Sequence, residues 1–481
     1  DGPACVCFTD GRVIGAVLDR NGLRPARYWI TDDGLVMLAS EAGVLDVPPE
    51  RVVEKGRLGP GRLFLVDLVE GRLVPGHELK QRIASEKPYG AWVAEQVVPL
   101  ASLPHAEPPR RLEGEELSRA LVAFGTSTED LRLLIAPMAL RGEEATGSMG
   151  NDAALAVLSR RARPLYDYFH QLFAQVTNPP LDAIREKIVT SLTTAVGPEG
   201  NLLVPTPESC RMVLAERPLF DNQEMARFTA MADSRKGAAR ALGDSTPPPA
   251  QGPFGVTVLD MTFPADDGPE GLEPALRALF AKADNAIADG SHVLVLSDRG
   301  VAAERAPMPA LLAVAGLHNH LVRTRKRAFV TLVVETGSAR EVHHFATLLG
   351  YGASAVNPYL ALDAMGELEK LGLADGSVDV DTMRRNYLSA VEKGVVKVMS
   401  KMGISTVASY RGAQIFEAVG LSKELVDRYF TSTPSRIGGL GMREIAREAL
   451  HHHARAFAEP ELPSLDDRGE YQWRKGGEVH L

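Results

Sequence analysis

From Phe254 onward the chain alternates short β-branched runs with amphipathic stretches, and this alternation limits its possible folds more than any other feature. Five runs predict strands, at 256–261, 292–297, 329–335, 353–357 and 404–409. The intervening stretches have apolar residues at helical spacing, so the pattern predicts βα units and a parallel sheet. The strands lack polar alternation, which is typical of a sheet covered on both faces. A barrel-like closure and an open sheet both fit.

The first 76 residues have a different pattern, with three hairpin signals. Asp10-Gly11, Asp32-Asp33-Gly34 and Glu70-Gly71 each separate two short apolar runs. Such turns predict about six antiparallel strands. A sheet of this kind needs a second layer to cover it. We expect that layer to come from residues upstream of Asp1.

Between these two parts, residues 77–243 have helical periodicity. Apolar residues recur at i, i+3 and i+4 and predict helices over 115–124, 129–140, 151–161, 165–176, 181–192 and 223–242. The Pro-rich stretch 245–253 predicts an exposed loop, residues 441–460 a further helix, and residues 461–481 a polar connector.

Composition and charge exclude several classes of protein. A net charge of −9 argues against nucleic acid or an anionic membrane as the main partner. No apolar run reaches the length of a membrane helix, and no signal peptide is recognisable. Three cysteines without a CxxC motif exclude a disulfide framework, a structural zinc site and a Cys-ligated cluster. Because the chain opens at Asp1 without an initiator Met, we expect an internal piece of a longer, cytoplasmic polypeptide.

Two loops that follow predicted strands are the best candidates for a ligand site from the residues alone. Ser297-Asp298-Arg299-Gly300 and Glu335-Thr336-Gly337-Ser338 occupy the position where α/β proteins place their active sites. A third loop, 19–25, has the composition of a turn, and Arg24 within it could alternatively reach a ligand carboxylate or a neighbouring domain.

Other reactive residue types predict structure rather than chemistry. Cys5 and Cys7 share one face of a strand and are expected to be buried, and all three cysteines, Cys210 included, are expected to be structural, unpaired thiols. The histidines at 318 and 320, 343–344 and 451–453 lack the spacing of zinc ligands on one helix face, so we expect surface or capping roles and no metal. The Gly-rich stretch 433–441 follows a helix rather than a strand and is a weak phosphate-binding signal.

Several longer strings resemble the glutamate synthase family, and the resemblance extends over nearly the whole chain. They lie at 19–27, 40–46, 146–152, 165–180, 340–357, 399–416 and 433–439. The first two resemble the C-terminal half of an N-terminal-nucleophile glutamine amidotransferase domain. The resemblance implies an α/β protein with four parts: residues 1–90 ending that glutaminase domain, a helical section 91–250, a parallel βα, barrel-like section 251–458, and a connector 459–481 toward an FMN-binding domain. The glutaminase part would be α+β, the end of an αββα layer.

The resemblance also implies a reaction. An N-terminal cysteine hydrolyses glutamine, and ammonia moves through an internal tunnel to 2-oxoglutarate on an FMN barrel. The resulting imine is reduced by flavin electrons that pass through a 3Fe-4S cluster. The electrons come from a small NADPH-oxidising subunit or from ferredoxin, and the remaining glutaminase, FMN-binding and C-terminal domains are partners within the same polypeptide.

This chain lacks the residues that carry that chemistry. The nucleophilic cysteine is absent, Asp1 is not its equivalent, and the FMN loops and cluster cysteines would lie downstream of Leu481. No catalytic residue is therefore assigned here, and no cofactor is expected to bind this segment. Asn21, Gly22 and Arg24 match a motif near the glutaminase site and imply a supporting role.

The Gly-rich stretch around Thr146 and Ser148 supplies small side chains and hydroxyls, which suit the wall of an ammonia tunnel; a helix cap is the alternative for the following Asn151 and Asp152. Two further hypotheses about the function of the whole segment stay open. It could be a non-catalytic scaffold that couples two sites, or a stand-alone βα enzyme that uses the loops at Ser297 and Glu335.

Overall fold

The structure, a computed structural model, describes residues 3–145, 147, 154–172, 181–231, 255–457 and 464–478. The chain divides into two compact units. Unit 1 comprises Asp1–Ala94 with Gln175–Leu181, and unit 2 comprises Glu95–Ala174 with Asp182–Leu481.

Unit 1 is built from two small antiparallel sheets. Its strands are β1 (Cys5–Thr9), β2 (Val13–Leu18), β3 (Arg27–Thr31), β4 (Val36–Ala39), β5 (Val52–Arg57), β6 (Leu63–Asp67) and β7 (Arg72–Val74). One sheet has the order β1-β2-β6-β7 and the other β4-β3-β5, and apolar residues of both share a small core. The three predicted hairpins are confirmed. Strand β5 was missed because its sequence is mostly polar and exposed. Helices α1 (Gly76–Ala84) and α2 (Tyr89–Gln96) follow.

The centre of unit 2 is a four-stranded parallel sheet. Its order is β12 (Gly255–Asp260), β14 (Ser291–Ser297), β16 (Thr331–Glu335) and β17 (Ala355–Asn357), and each strand pairs with the next in sequence. The α/β prediction with a parallel sheet is confirmed. These four strands form an open sheet and not a closed barrel.

The remaining strands of unit 2 form three small sheets. They are β8 (Val97–Pro99), β9 (Phe169–Gln171), β10 (Thr194–Val196), β11 (Met212–Ala215), β13 (Thr262–Pro264), β15 (Arg305–Pro307), β18 (Phe416–Leu421) and β19 (Ser435–Leu440). They pair in the orders β10-β11-β8, β13-β15 and β19-β18-β9.

The helices of unit 2 surround these sheets. They are α3 (Gly114–Ala123), α4 (Ala136–Arg141, preceded by a π-helical turn at Asp130–Ile135), α5 (Ala183–Val189), α6 (222–231), α7 (Leu272–Ala288), α8 (Ala310–Arg323), α9 (Val342–Gly350), α10 (Tyr359–Ala364), α11 (Val380–Lys401), α12 (Val407–Tyr410), α13 (Lys423–Tyr429) and α14 (Met442–Phe457). Among the described residues no helix combines the length and the apolar character that crossing a membrane requires.

The parallel sheet is buried on both faces, and successive residues of β14 show this directly. Val293 and Val295 belong to one hydrophobic cluster, with residues of β10, β11 and α6. Leu294 and Leu296 belong to a second, larger cluster with the flanking helices. Because side chains of a strand point alternately to opposite faces, both faces need apolar residues. This accounts for the absence of polar alternation in the sequence.

Four local predictions are wrong, and three of them were overridden by a specific contact. Of the helix predicted over 151–161, the described residues form only a 3-10 turn at Ala156–Leu158. Residues 404–409 do not form a strand, because the Thr406 hydroxyl accepts a hydrogen bond from Ser409 N and caps helix α12. Residues 165–172, the described part of the helix predicted over 165–176, form a short 3-10 turn followed by β9, which pairs with β18. The section 91–250 is not wholly helical: β8, β10 and β11 form a sheet on the second cluster.

The polar segment 464–478 packs against unit 2 as a strap. Asp466 forms a bridge with Ser127 and accepts from Thr128 N, while Glu129 accepts hydrogen bonds from the backbone of Glu470 and Gln472. The Arg468 side chain is buried and donates to Gly125 O at 2.5 Å. These contacts place the strap beside the loop that leaves α3.

The contact between α9 and α11 predicts the effect of one added methyl group. A Cβ at Gly394 would lie 2.3 Å from Val342 Cγ2 and 3.1 Å from Val342 Cβ, so rotation of the valine cannot remove the clash. Gly394→Ala should therefore lower the free energy of unfolding by about 1–3 kcal/mol, although the better helix propensity of Ala offsets part of the strain. At Gly366, an added Cβ meets no atom within 4 Å. Urea denaturation of Gly394→Ala and of the control Gly366→Ala checks this, and equal midpoints would contradict it.

Candidate functional site

The two loops singled out from the sequence meet at one edge of the parallel sheet. The four strands end in the polar residues Asp260, Ser297, Glu335 and Asn357, which are paired in register across neighbouring strands. The carboxyl ends of parallel strands share one edge, where α/β proteins bind their ligands. The prediction that both loops follow parallel strands is therefore confirmed, and their side chains lie at one edge of the sheet.

The Glu335 carboxylate is the centre of this cluster. Its Oε2 accepts a hydrogen bond of 2.6 Å from Ser297 Oγ, and its Oε1 accepts one of 2.5 Å from Arg299 Nε. The Arg299 guanidinium also lies 4.0 Å from the centre of the Tyr359 ring, a cation–π contact. Both carboxylate oxygens are thus occupied by side chains of the chain itself.

Asp298 forms a second, fully buried group beside it. Thr336 Oγ1 donates to Asp298 Oδ2 at 2.5 Å, and Gly337 N donates to Oδ1 at 3.0 Å. Burial raises the pKa of Asp298 to about 7, opposed by these hydrogen bonds and reinforced by the nearby charge of Glu335. The Thr336 hydroxyl also lies 2.9 Å from Ser338 Oγ, which extends the network.

Three members of the cluster were missed in the sequence. Tyr359 and Tyr166 come from segments remote from both loops, and the Tyr166 hydroxyl lies 2.9 Å from Ser338 Oγ. Asn357 was recognised only as strand, yet its side chain donates to Phe220 O and to Asn222 Oδ1. Asn357 could have been identified in the sequence because it is a polar residue at the end of a buried apolar strand. No local sequence pattern identifies Tyr166 or Tyr359.

The chemistry of the edge follows from these bonds. A general base or nucleophile must have a lone pair or proton directed at a substrate. Here the carboxylates, hydroxyls and guanidinium are directed at one another, so the arrangement favours a structural tie between strand ends. These mutual bonds argue against the hypothesis that the segment is a stand-alone βα enzyme.

Asp167, Glu341 and His344, of which only His344 is buried, have the residue types and spacing of a metal site, since one potential ligand atom from each lies within 4.8 Å of the others. His344 Nδ1 accepts a hydrogen bond of 3.3 Å from Arg340 N. His344 Nε2 lies 3.0 Å from Glu341 Oε1. Asp167 is paired with Arg163 at 2.8 Å. The contacts of Asp167 with Arg163 and of Glu341 with His344 account for this group without a metal ion.

In unit 1, Asn21 and Gly22 form a turn organised by Asp19. The Asp19 carboxylate accepts hydrogen bonds from Ala4 N and Asn21 N, and its carbonyl accepts from Gly22 N. Gly22 has a φ of +61°, and a Cβ there would lie 2.7 Å from Pro60 Cγ, so only glycine fits. The Arg24 side chain is exposed and has no partner among the described residues.

Other predicted residues have mixed outcomes. Thr146 and Ser148, with Asn151 and Asp152, lie outside the described residues. The three cysteines are unpaired, but Cys7 is exposed and the other two are half-buried, so the prediction of buried thiols is wrong for Cys7. The surface role expected for the histidines is wrong for His344 and His453, which are buried.

Comparison of the sequence with known protein families gives two matches. The class-II glutamine amidotransferase family matches residues 1–92, and the glutamate synthase central domain matches residues 119–422, more than half of the chain. An amidotransferase segment followed by a glutamate synthase central domain defines a multidomain class of protein. The chain belongs to the glutamate synthase family.

Curated relatives align with the whole chain. It is 44% identical to the glutamate synthase (NADPH) large chain of Bacillus subtilis and 42% identical to ferredoxin-dependent glutamate synthase 2 of Synechocystis, covering 100% of this chain and 30% of each relative. It is also 42% identical to glutamate synthase (NADH) of Schizosaccharomyces pombe, covering 23% of that protein. The chain therefore spans less than a third of the length of these relatives.

The buried Asp298 carboxyl predicts a pH-dependent contribution to stability. The folded state keeps a proton that the unfolded chain releases above a pKa of 3.8, so stability falls as the pH rises toward about 7. Between pH 5.5 and 8 the wild type should lose about 2 kcal/mol that Asp298→Asn does not lose. Denaturant titrations at both pH values measure this. The exposed Asp266→Asn serves as control, and equal pH slopes in wild type and Asp298→Asn would be inconsistent with the burial argument.

Proposed function

We propose that the polypeptide to which this chain belongs makes L-glutamate from glutamine-derived ammonia and 2-oxoglutarate, with an external reductant. The observation that supports this is the succession of an amidotransferase segment and a glutamate synthase central domain in one chain, similar over its full length to named glutamate synthases. The full-length protein would be a flavoprotein oxidoreductase of ammonia assimilation.

Within that protein, the role we propose for this segment is coupling. Residues 1–90 would end the glutaminase domain as half of an αββα fold whose other layer lies upstream. Residues 91–250 and 251–458 would form the central domain, whose sheet resembles part of a barrel, and 459–481 would connect it to the FMN-binding domain. Ammonia would pass along the central domain, with Thr146 and Ser148 at the tunnel wall.

Asn21, Gly22 and Arg24 would support the glutaminase site without taking part in bond making. The turn geometry supports this assignment, because the Asp19 hydrogen bonds fix the backbone and leave the Arg24 guanidinium exposed. A guanidinium held out from a rigid turn can pair with a carboxylate. Glutamine carries one such group.

The residues of this chain do not fit the cofactors of the proposed reaction. A 3Fe-4S cluster needs several converging thiolates. Here Cys5 and Cys7 belong to unit 1 and Cys210 to unit 2, and the described residues hold no group of cysteines at ligand spacing. At the edge of the parallel sheet, where α/β proteins bind their ligands, the carboxylates of Glu335 and Asp298 are bonded to side chains of the chain itself. FMN and the cluster are assigned to other parts of the polypeptide.

The electron donor stays open between two partners. Similar relatives are named for NADPH, NADH and ferredoxin, at 44%, 42% and 42% identity. Either a small NADPH-oxidising subunit or ferredoxin is therefore proposed. We place the protein in the cytoplasm, with no nucleic-acid or membrane partner.

The coupling role predicts different activities for the segment and the whole. The full-length polypeptide should form glutamate from glutamine and 2-oxoglutarate with one of the two reductants. This 481-residue chain should neither release ammonia from glutamine nor bind flavin, because the thiol nucleophile of acyl transfer is missing. Ammonia assays and flavin absorbance measure both. Glutamine hydrolysis by the chain alone would contradict the assignment.

A second prediction concerns the tunnel. In the full-length protein, Thr146→Leu places a branched apolar side chain at the proposed wall and should slow the passage of ammonia. Ammonia released into solution should then exceed glutamate formed, whereas Thr146→Ser, which keeps the hydroxyl, should leave them equal. Parallel assays of the two products measure the ratio. One-to-one coupling at normal rates in Thr146→Leu would rule out the tunnel role.

A further inference from the structure

Unit 2 carries a basic groove that the proposed function does not use. It lies between the segment that follows residue 158, helix α14 and the strap, and its volume is about 450 Å³, within the usual range for small-molecule sites. Six basic side chains line it, with only two acidic ones: Arg160, Arg161, Arg447, Arg468, His451 and His452, with Glu448 and Asp466.

The two acids do not neutralise the groove. Asp466 is already bound by Arg455, which does not line the groove, at 2.5 and 3.0 Å. Glu448 accepts a hydrogen bond of 2.8 Å from the Tyr168 hydroxyl, and burial raises its pKa to about 7. A large fraction of Glu448 is therefore uncharged near neutral pH, and the groove keeps a positive charge.

Two of the arginines are available to a ligand. Arg160 is exposed and has no hydrogen-bond or ion-pair partner within the described ranges. The acidic group near Arg447, Glu444, lies 3.9 Å away, too far for a hydrogen bond. Arg468 forms part of the floor, buried and fixed by its bond to Gly125 O. A guanidinium presents paired N–H donors that match two oxygens of one anion.

His452 supplies an independent indication of a ligand. Both ring nitrogens are buried and have no hydrogen-bond partner among the described residues. Burial, together with Arg468 and His451, lowers its pKa to about 3, so the ring is neutral and offers one donor and one acceptor. The ring lines both the groove and an adjoining cavity of about 70 Å³, large enough for ordered water. A buried polar group of this kind normally has a partner.

We propose that this groove binds a small oxyanion, a phosphate or a dicarboxylate, between the Arg160 and Arg447 guanidiniums and above Arg468 and His452. The two anion types share the paired anionic oxygens that arginine recognises. A phosphate that retains a proton also offers the donor that the His452 acceptor nitrogen lacks.

Arginine footprinting tests the site in the full-length polypeptide. Phenylglyoxal modifies exposed arginines, and mass spectrometry resolves each position. Inorganic phosphate or succinate should slow modification of Arg160 and Arg447, while Arg443, on the same helix but paired with Glu270 at 2.9 Å, should not change. Protection by phosphate alone or by succinate alone assigns the anion. Protection of neither arginine, or equal protection of Arg443, would overturn the proposal.

Calorimetry with the same two anions provides the matched test. The double variant Arg160→Gln/Arg447→Gln should bind the preferred anion at least about tenfold more weakly, as expected for lost charged hydrogen bonds. The control Arg443→Gln should bind it as the wild type does. Because both replaced arginines are exposed, the fold should be kept, which circular dichroism checks. Unchanged affinity in the double variant would refute the site.

Discussion

Burial of the parallel sheet on both faces is the constraint on which unit 2 depends. Val293 and Val295 face one cluster and Leu294 and Leu296 the other, so the centre of β14 has no position for a polar side chain. The polar residues of β14 therefore lie at its two ends, Ser291 and His292 at one and Ser297 at the other. Because Glu335 and Asp298 are buried beside the carboxyl end, their carboxylates need hydrogen-bond donors from the chain itself, and Ser297 and Thr336 supply them.

The same constraint gives the polar residues at the strand ends a structural role rather than a catalytic one. Strand ends that could carry a reacting group instead tie neighbouring strands through Ser297, Arg299 and Thr336. Such ties hold the ends of neighbouring strands together, which suits the coupling role proposed above. The open sheet and the internally bonded carboxylates at its edge thus fit that proposed role better than an independent catalytic role.

The sequence predicted features set by local pattern and missed those set by distant contacts. The Asp10-Gly11 turn and the existence of the four parallel strands were predictable, because a positive φ at Gly11 and two-sided burial each leave a local signature. The loops at Ser297 and Glu335 were also found, since parallel strands bring their ends together. The contacts of Tyr166 and Tyr359 and the buried position of the His452 ring nitrogens were not predictable, because their surroundings come from segments far away in the chain. The strand β9 was missed for the same reason, since only pairing with β18 makes it a strand.

The strap has a consequence for how the length of this region can vary. Its contacts with Ser127, Glu129 and Ser159 fall at Asp466, Glu470 and Glu478, so three points along fifteen residues are held at once. One inserted residue would shift the chain by about 3.3 Å, more than a hydrogen bond tolerates. Insertions and deletions should therefore be excluded between Asp466 and Glu478, although the composition of the segment is that of a loop whose length is free to change.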